Sequence, residues 1–220
     1  MGISKKLSLD LSNFCNIKVK TIYSPGYDKS ILEKANKKIN LNKKFKYIIN
    51  VSRFTKRKDH YTTLKGFKLA SDRIKNLKLI LIGYGSEYNN ILSISRNLNI
   101  RKKVIIFKKL NNPYPYIKNS DLLILSSKYE GMGNILVEAI TLGTPIISSN
   151  CNSGPSEILL NGKGGDLFKV SDYIELSKKI IKHFNNIKLL KKKNKYAQKK
   201  LFRFDINNHA KIYSKIFHKL

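Results

Sequence analysis

The sequence has no tryptophan, two cysteines, two methionines and five prolines, and it sets 14 acidic residues against 44 basic ones in 220. Each shortage excludes something. Cys15 and Cys151 stand far apart with no metal-ligand spacing, which rules out a disulfide framework and reads as two unpaired thiols in a reducing setting. No run of about 18 apolar residues occurs, so no segment reads as a membrane-spanning helix. Met1 to Asp10 lacks the apolar core of a secretory signal. Together these features point to a cytoplasmic chain.

The scarcity of acid leaves a formal net charge of +30. Lysine supplies 38 of the basic residues and arginine only six. Lysine, asparagine and isoleucine share AT-rich codons, so genome composition accounts for part of the excess. Nucleic-acid readers lean on arginine for bidentate contacts and interleave aromatics with basic residues, and neither pattern occurs here. Nucleic acid is therefore not expected as a partner. A phosphate-bearing substrate or the anionic inner face of a membrane suits the same field better.

What is present suffices for a core. At 41% hydrophobic, 220 residues can build one α/β domain with additional helices. An extended stretch at Val19–Tyr23 and a helix from Asp28 to about Lys38 are expected in the lysine- and asparagine-rich opening. From Tyr47 onward short apolar runs alternate with helical patterns. Strands are expected at Tyr47–Val51, Leu77–Ile82, Val104–Phe107, Leu122–Leu125 and Pro145–Ser148, with helices at Asp59–Arg73 and Ser86–Leu98 between them. The near-continuous apolar strands imply cover on both faces and a Rossmann-like doubly wound parallel sheet, with ligands at the strands' carboxyl ends. Three segments follow: 1–44 as linker and remnant of another domain, 45–170 as the Rossmann-like domain, and 171–220 as two or three lysine-rich C-terminal helices. Lysine clusters such as Lys191–Lys193 read most simply as a solvated helix face.

The chemistry concentrates between Ser126 and Leu159, SSKYEGMGNILVEAITLGTPIISSNCNSGPSEIL. After a buried strand, a polar loop delivers Glu130-Gly131-Met132-Gly133-Asn134. A helix then begins with Asn134 as candidate N-cap and ends at Gly143. The glycines permit close backbone approach to a ligand, and the helix's first amides would favour a diphosphate. Glu138, one turn into the helix, suits the paired hydroxyls of a ribose. Glu130 can accept hydrogen bonds from a sugar.

Glu130 and Glu138 form an E-x7-E pattern, and this segment resembles the signature of retaining glycosyltransferases of family 4, which have the GT-B fold. The resemblance runs from about Asn16 to Leu167. It implies a chain corresponding to the C-terminal, nucleotide-sugar-binding half of such an enzyme. By the same resemblance Glu130 meets the donor sugar, Glu138 the ribose, and the amides of Asn134 and Ile135 the diphosphate, with Gly131, Met132 and Gly133 beside them. Val51-Ser52-Arg53-Phe54-Thr55-Lys56-Arg57-Lys58 resembles a second family element. Arg53 and Lys58 would there clamp the diphosphate and stabilise the departing nucleotide, and with Glu130 they form the expected catalytic set. Ser52 stands where the family usually has glycine. Gly83 and Gly85 match a glycine-containing turn, and Phe107 lies where the base meets backbone groups. Among the histidines, His60 is nearest this loop and is expected at the surface, without a role.

The implied activity is retaining transfer of a hexosyl or N-acetylhexosaminyl group from a nucleotide sugar, a UDP-sugar ahead of a GDP-sugar. The acceptor would be a cell-surface polysaccharide or lipid-linked glycan precursor, a subgroup that Ser153-Gly154-Pro155-Ser156-Glu157 resembles. No cofactor is expected, and without an HxH or DxD-like cluster no metal. Enzymes of this fold react between two such domains, so a separate chain or an absent segment would supply the acceptor-binding half. The alternatives are a catalytically silent nucleotide-binding fragment and a basic polyanion-binding protein.

Overall fold

Neighbouring residues of the run Tyr47-Ile48-Ile49 point to opposite sides of a sheet, and helices cover both sides. The computed structural model describes residues 1–218. Strands β1 (Lys46–Val51), β2 (Leu77–Gly83), β3 (Val104–Lys108), β4 (Leu122–Leu125), β5 (Ile146–Ser149) and β6 (Asp166–Phe168) pair in the order β3-β2-β1-β4-β5-β6. Every pairing is parallel, with Ile48 and Ile49 of β1 opposite Leu122 and Leu123 of β4.

Ile48, Leu79, Leu81, Leu122 and Ile124 form one core with helices α3 (His60–Ser71), α4 (Tyr88–Asn97) and α8 (Tyr173–Asn185). Ile49, Ile80, Ile82, Leu123 and Leu125 form the other with α5 (Tyr114–Lys118), α6 (Asn134–Thr141) and α9 (Ile187–Gln198). The remaining helices are α1 (Lys5–Cys15), α2 (Ser30–Lys34), α7 (Pro155–Ile158) and α10 (Ile206–Phe217). Two-sided burial is why the strands read as unbroken apolar runs. This is the doubly wound parallel α/β fold expected. Its winding direction reverses between β1 and β4, which opens a crevice at their carboxyl ends.

Several local expectations need correction. Val19–Tyr23 joins no sheet; it makes an isolated bridge between Thr21 and Gly2. The helix expected over 28–38 is confined to Ser30–Lys34, since Asp28 binds the amide and hydroxyl of Ser30 and the chain turns at Ala35. Helix α1 is not among the elements expected from the sequence: Leu7, Leu11 and Phe14 share one of its faces, but of its residues only Ser8 is buried. Asn134 does not cap α6. Gly133 holds the N-cap position with φ 85°, and Asn134 is the first helical residue, its side-chain Nδ2 3.5 Å from the Pro25 carbonyl oxygen. Strand β6, three residues long, was also unforeseen.

Candidate functional site

Two loops meet at the crevice. The first, after β1, is drawn over the end of β2. The Ser52 amide donates to the Ile82 carbonyl at 3.0 Å and the Phe54 amide to the Tyr84 carbonyl at 2.7 Å, with Phe54 fully buried. This crossing is why glycines follow β2. A Cβ on Gly83 would sit 1.9 Å from the Ser52 carbonyl oxygen, and one on Gly85 2.3 Å from that of Phe54. Gly85 therefore supports the loop, while Gly83 also edges a cleft beside it.

The second loop follows β4. Buried Ser126 places its hydroxyl 2.9 Å from the carbonyls of both Lys58 and Asp59, and the Lys128 amide donates to the Arg57 carbonyl at 2.8 Å. These bonds fasten the two loops together. Asp59, at φ 47°, caps α3 by accepting from the Thr62 amide, which fixes where Lys58 leaves the chain.

Between the loops lies a cleft of about 540 Å³, lined by Ile3, Ser24, Val51, Ser52, Arg53, Lys58, Glu130, Met132, Gly133, Asn134 and Ile135. Arg53 is exposed, and among the described residues its guanidinium has no ion pair or hydrogen bond. Lys58 pairs with Glu130, Nζ to Oε1 at 2.5 Å, with the two side chains only 13% and 8% exposed. Ser127 donates to the same Oε1 at 2.6 Å, and Ser153 donates to the Glu130 backbone carbonyl at 2.6 Å. Oε1 is thus occupied and Oε2 is left to meet a ligand. Neither Ser127 nor Ser153, the first residue of the Ser153–Glu157 motif, is expected from sequence to hold Glu130.

Gly133 turns the chain left-handed into α6, so the first amides of that helix, at Asn134 and Ile135, open on the same cleft without intrahelical partners. A helix N-terminus beside Arg53 and Lys58 concentrates positive potential where a diphosphate would lie. Met132 is buried at the cleft's edge, and Gly131 is exposed against Ile3. Glu138 is half-buried one turn along α6 and is not in the cleft's lining. Burial pushes its carboxyl up to about 7, and its charge adds to burial in raising the phenol of Tyr114.

Phe107 packs at 4.8 Å against Tyr116 and lines neither cleft; the cleft beside Arg53, about 350 Å³, is lined instead by Gly83, Tyr84, Lys109, Leu110 and Asn111. His60 is not at the surface. It is 3% exposed, edge-on to Phe54 at 5.1 Å, and burial holds its imidazole down to about 4. Both thiols are free, Cys15 exposed and Cys151 buried. Among the described residues no group of three or more histidine, cysteine or acidic side chains could hold a metal ion.

The doubly wound parallel α/β fold matches that of GT-B glycosyltransferase structures. Residues 32–200 match the family described as glycosyl transferases group 1, and the chain belongs to it. An uncharacterized glycosyltransferase of Methanocaldococcus jannaschii is 34% identical over 111 residues, covering 50% of this chain and 27% of that protein. A Campylobacter jejuni transferase, N-acetylgalactosamine-N,N'-diacetylbacillosaminyl-diphospho-undecaprenol 4-alpha-N-acetylgalactosaminyltransferase, is 28% identical over 130 residues, 59% of this chain and 34% of that one. The crystal structure of Anabaena HepE in complex with UDP and glucose superposes with a TM-score of 0.82 at 17% identity, covering 100% of this chain and 62% of that one. The chain thus spans about a third of the length of these curated relatives.

Proposed function

We propose that this chain is the C-terminal, donor-binding half of a retaining glycosyltransferase of family 4. The observation that carries the reading is the convergence of Arg53, Lys58, Glu130 and the α6 N-terminus on one cleft at the switch point. Arg53 and the amides of Asn134 and Ile135 hold the diphosphate. Lys58 adds charge as the bond from the anomeric carbon to the β-phosphate oxygen breaks, and Glu130 orients the sugar through Oε2. Glu138 takes the ribose hydroxyls. The acceptor hydroxyl attacks, and a second α/β domain, on the same or a separate chain, presents it. No metal takes part.

The donor is a UDP-sugar carrying a hexosyl or N-acetylhexosaminyl group, in keeping with UDP in the HepE complex. The acceptor is a lipid-linked or cell-surface glycan precursor, as the undecaprenol-linked substrate named for the Campylobacter relative suggests. Calorimetric titration with UDP, GDP and ADP tests the site. Saturable UDP binding, weakened about ten- to a hundredfold but still measurable in Arg53→Ala and Glu138→Ala, is expected; no nucleotide binding to a folded chain would overturn the reading.

The site of action is the cytoplasmic face of an anionic membrane. From Leu176 to Phe204 the sequence holds eleven lysines and arginines and no carboxylate. On α9 the lysines at 188, 192, 195 and 199 fall on one exposed stripe, flanked by partly exposed Leu189 and Tyr196. The opposite side of α9 buries Leu190, Asn194 and Ala197 against the body. Basic stems with interspersed apolar groups suit an anionic lipid interface. Flotation with vesicles containing phosphatidylglycerol at physiological salt should carry the protein upward. The triple change Lys188→Glu, Lys192→Glu, Lys195→Glu should leave it in the soluble fraction; a wild type that stays there sinks the membrane reading alone.

A further inference from the structure

Beneath Arg53 runs a buried polar chain that nothing in the donor-site reading uses. Asn50, 1% exposed, sits at the penultimate position of β1, and Ser52 follows two residues on, facing the same side. The Ser52 hydroxyl donates to Asn50 Oδ1 at 2.8 Å and lies 3.2 Å from His60 Nε2. A hydroxyl has one proton. With that proton given to Asn50, Ser52 can only accept from the histidine, so His60 carries its proton on Nε2 and is the donor. Its Nδ1 is buried without a partner, as is Nδ2 of Asn50. A packed apolar residue at position 60 would carry no such orphaned atom, and buried polar atoms are seldom left so without a task.

The chain's effect falls on Arg53. Ser52 is held from three directions: its amide by the Ile82 carbonyl, its carbonyl by the bare face of Gly83, and its side chain by His60 and Asn50. On the other flank, fully buried Phe54 donates to the Tyr84 carbonyl. Arg53 therefore has a fixed backbone and an unrestrained guanidinium. Of the restraints on Ser52, only the bond to His60 reaches across from the start of α3, the helix that also places Lys58 through Asp59. A single imidazole thus links the two cation-bearing ends of the loop. Being neutral, it does so without adding charge that would compete for the phosphate.

We infer that His60 is a positioning residue for the phosphate-binding Arg53, acting through the Ser52 hydroxyl. This rests on the donor-site reading, and its test is built to fail separately. UDP affinity is measured by calorimetry, with a thermal melt for each protein. His60→Leu should weaken UDP binding about three- to tenfold, the worth of one net hydrogen bond. Ser52→Ala should do the same, and the double variant should lose no more than either alone. His60→Gln, whose amide nitrogen reaches as far as Nε2, should retain most of the affinity. In an Arg53→Ala background, His60→Leu should change affinity less than twofold, a coupling that a general loss of stability would not produce. If His60→Leu does not fold, Ser52→Ala and His60→Gln carry the comparison. Wild-type UDP binding with unchanged affinity in the folded variants overturns this inference and leaves the donor site standing. So does an equal loss with and without Arg53. A wild type that binds no nucleotide removes the donor site and this role with it.

Discussion

On the shoulder of α6 a carboxyl group is half-buried and, among the described residues, takes no hydrogen bond from the rest of the chain. Burial alone holds Glu138 at about 7 against an ordinary 4.5. Between those values the folded chain keeps a proton that the unfolded chain releases, so stability falls as pH rises through this window and stays lowered above it. The shift corresponds to on the order of 3 kcal/mol. Buried neutral His60 and His183, both pushed down, act in the opposite sense below the ordinary histidine value, a window that overlaps that of Glu138. The readout is therefore the difference between wild type and Glu138→Gln. The variant should gain melting temperature over the wild type as pH rises from 5 to 8, by about 5–10 °C at the upper end. A difference flat with pH would mean that Glu138 titrates normally. A ribose hydroxyl donating to the carboxylate would favour the ionised form, so nucleotide affinity should rise over the same window. In the Lys58–Glu130 pair each charge faces the other. Lys58→Met should cost about 1–3 kcal/mol by leaving the Glu130 carboxylate uncompensated, and adding Glu130→Gln should recover much of it. Chemical denaturation of the three proteins measures this, and additive losses would mean the pair is not coupled.

Helix α6 is where sequence pattern and geometry meet most closely. Its apolar residues Leu136, Val137 and Ile140 are spaced for one buried face, so its existence and extent were legible. Its start was not. An asparagine next to a glycine reads as a cap, yet the turn needs φ 85°, which only glycine adopts cheaply, so Gly133 takes the place. Gly133→Ala should therefore cost about 1–2 kcal/mol in stability, and since the would-be Cβ meets its nearest neighbours no closer than 3.6 Å, an ordinary contact, the cost is conformational. It should also weaken UDP binding, because it tilts the amides of Asn134 and Ile135. Unchanged melting and affinity would place the cap elsewhere. The same contrast runs through the fold. Strands β1 to β5 were legible because burial on both faces makes each an apolar run. Strand β6 and helices α5 and α7, of three, five and four residues, are too short to show a period. Helix α1 has only a short apolar stripe, Leu7, Leu11 and Phe14, set in a lysine- and asparagine-rich opening, and it buries only Ser8. At the site, Glu130, Arg53 and Lys58 were singled out by the family resemblance, and the structure brings them to one cleft. The partners Ser127, Ser153 and His60 were not, since their roles depend on the packing of loops and not on sequence distance.

At the scale of the whole molecule, the two ends of the chain close on each other beside the cleft. Gly26 and Tyr27 donate their amides to the Phe204 carbonyl, and Tyr23 packs at 5.4 Å against the Phe204 ring. Arg203 is the common point. Its guanidinium donates to the carbonyls of Glu157 at 3.1 Å and Ile158 at 3.3 Å, and it lies over the Phe204 ring at 4.7 Å. Glu157 in turn accepts from the amides of Lys5 and Lys6 at the start of α1. One planar cation thus joins the last helices to α7, and through α7 to the N-terminal segment whose Ile3 walls the cleft. Arg203→Ala strands two carbonyls and a packed ring, for a cost of about 2–4 kcal/mol. Arg203→Lys keeps the charge but cannot span both carbonyls at once, so it should recover less than half of that loss. Hydrogen exchange distinguishes a local tie from a global one. If the tie is as described, Arg203→Ala should release amide protection in α1 and in residues 200–218 while leaving β1 and β4 protected. Full rescue by lysine, or protection lost evenly across the sheet, would show that Arg203 contributes through charge or general packing and not as the clasp between the chain's two ends.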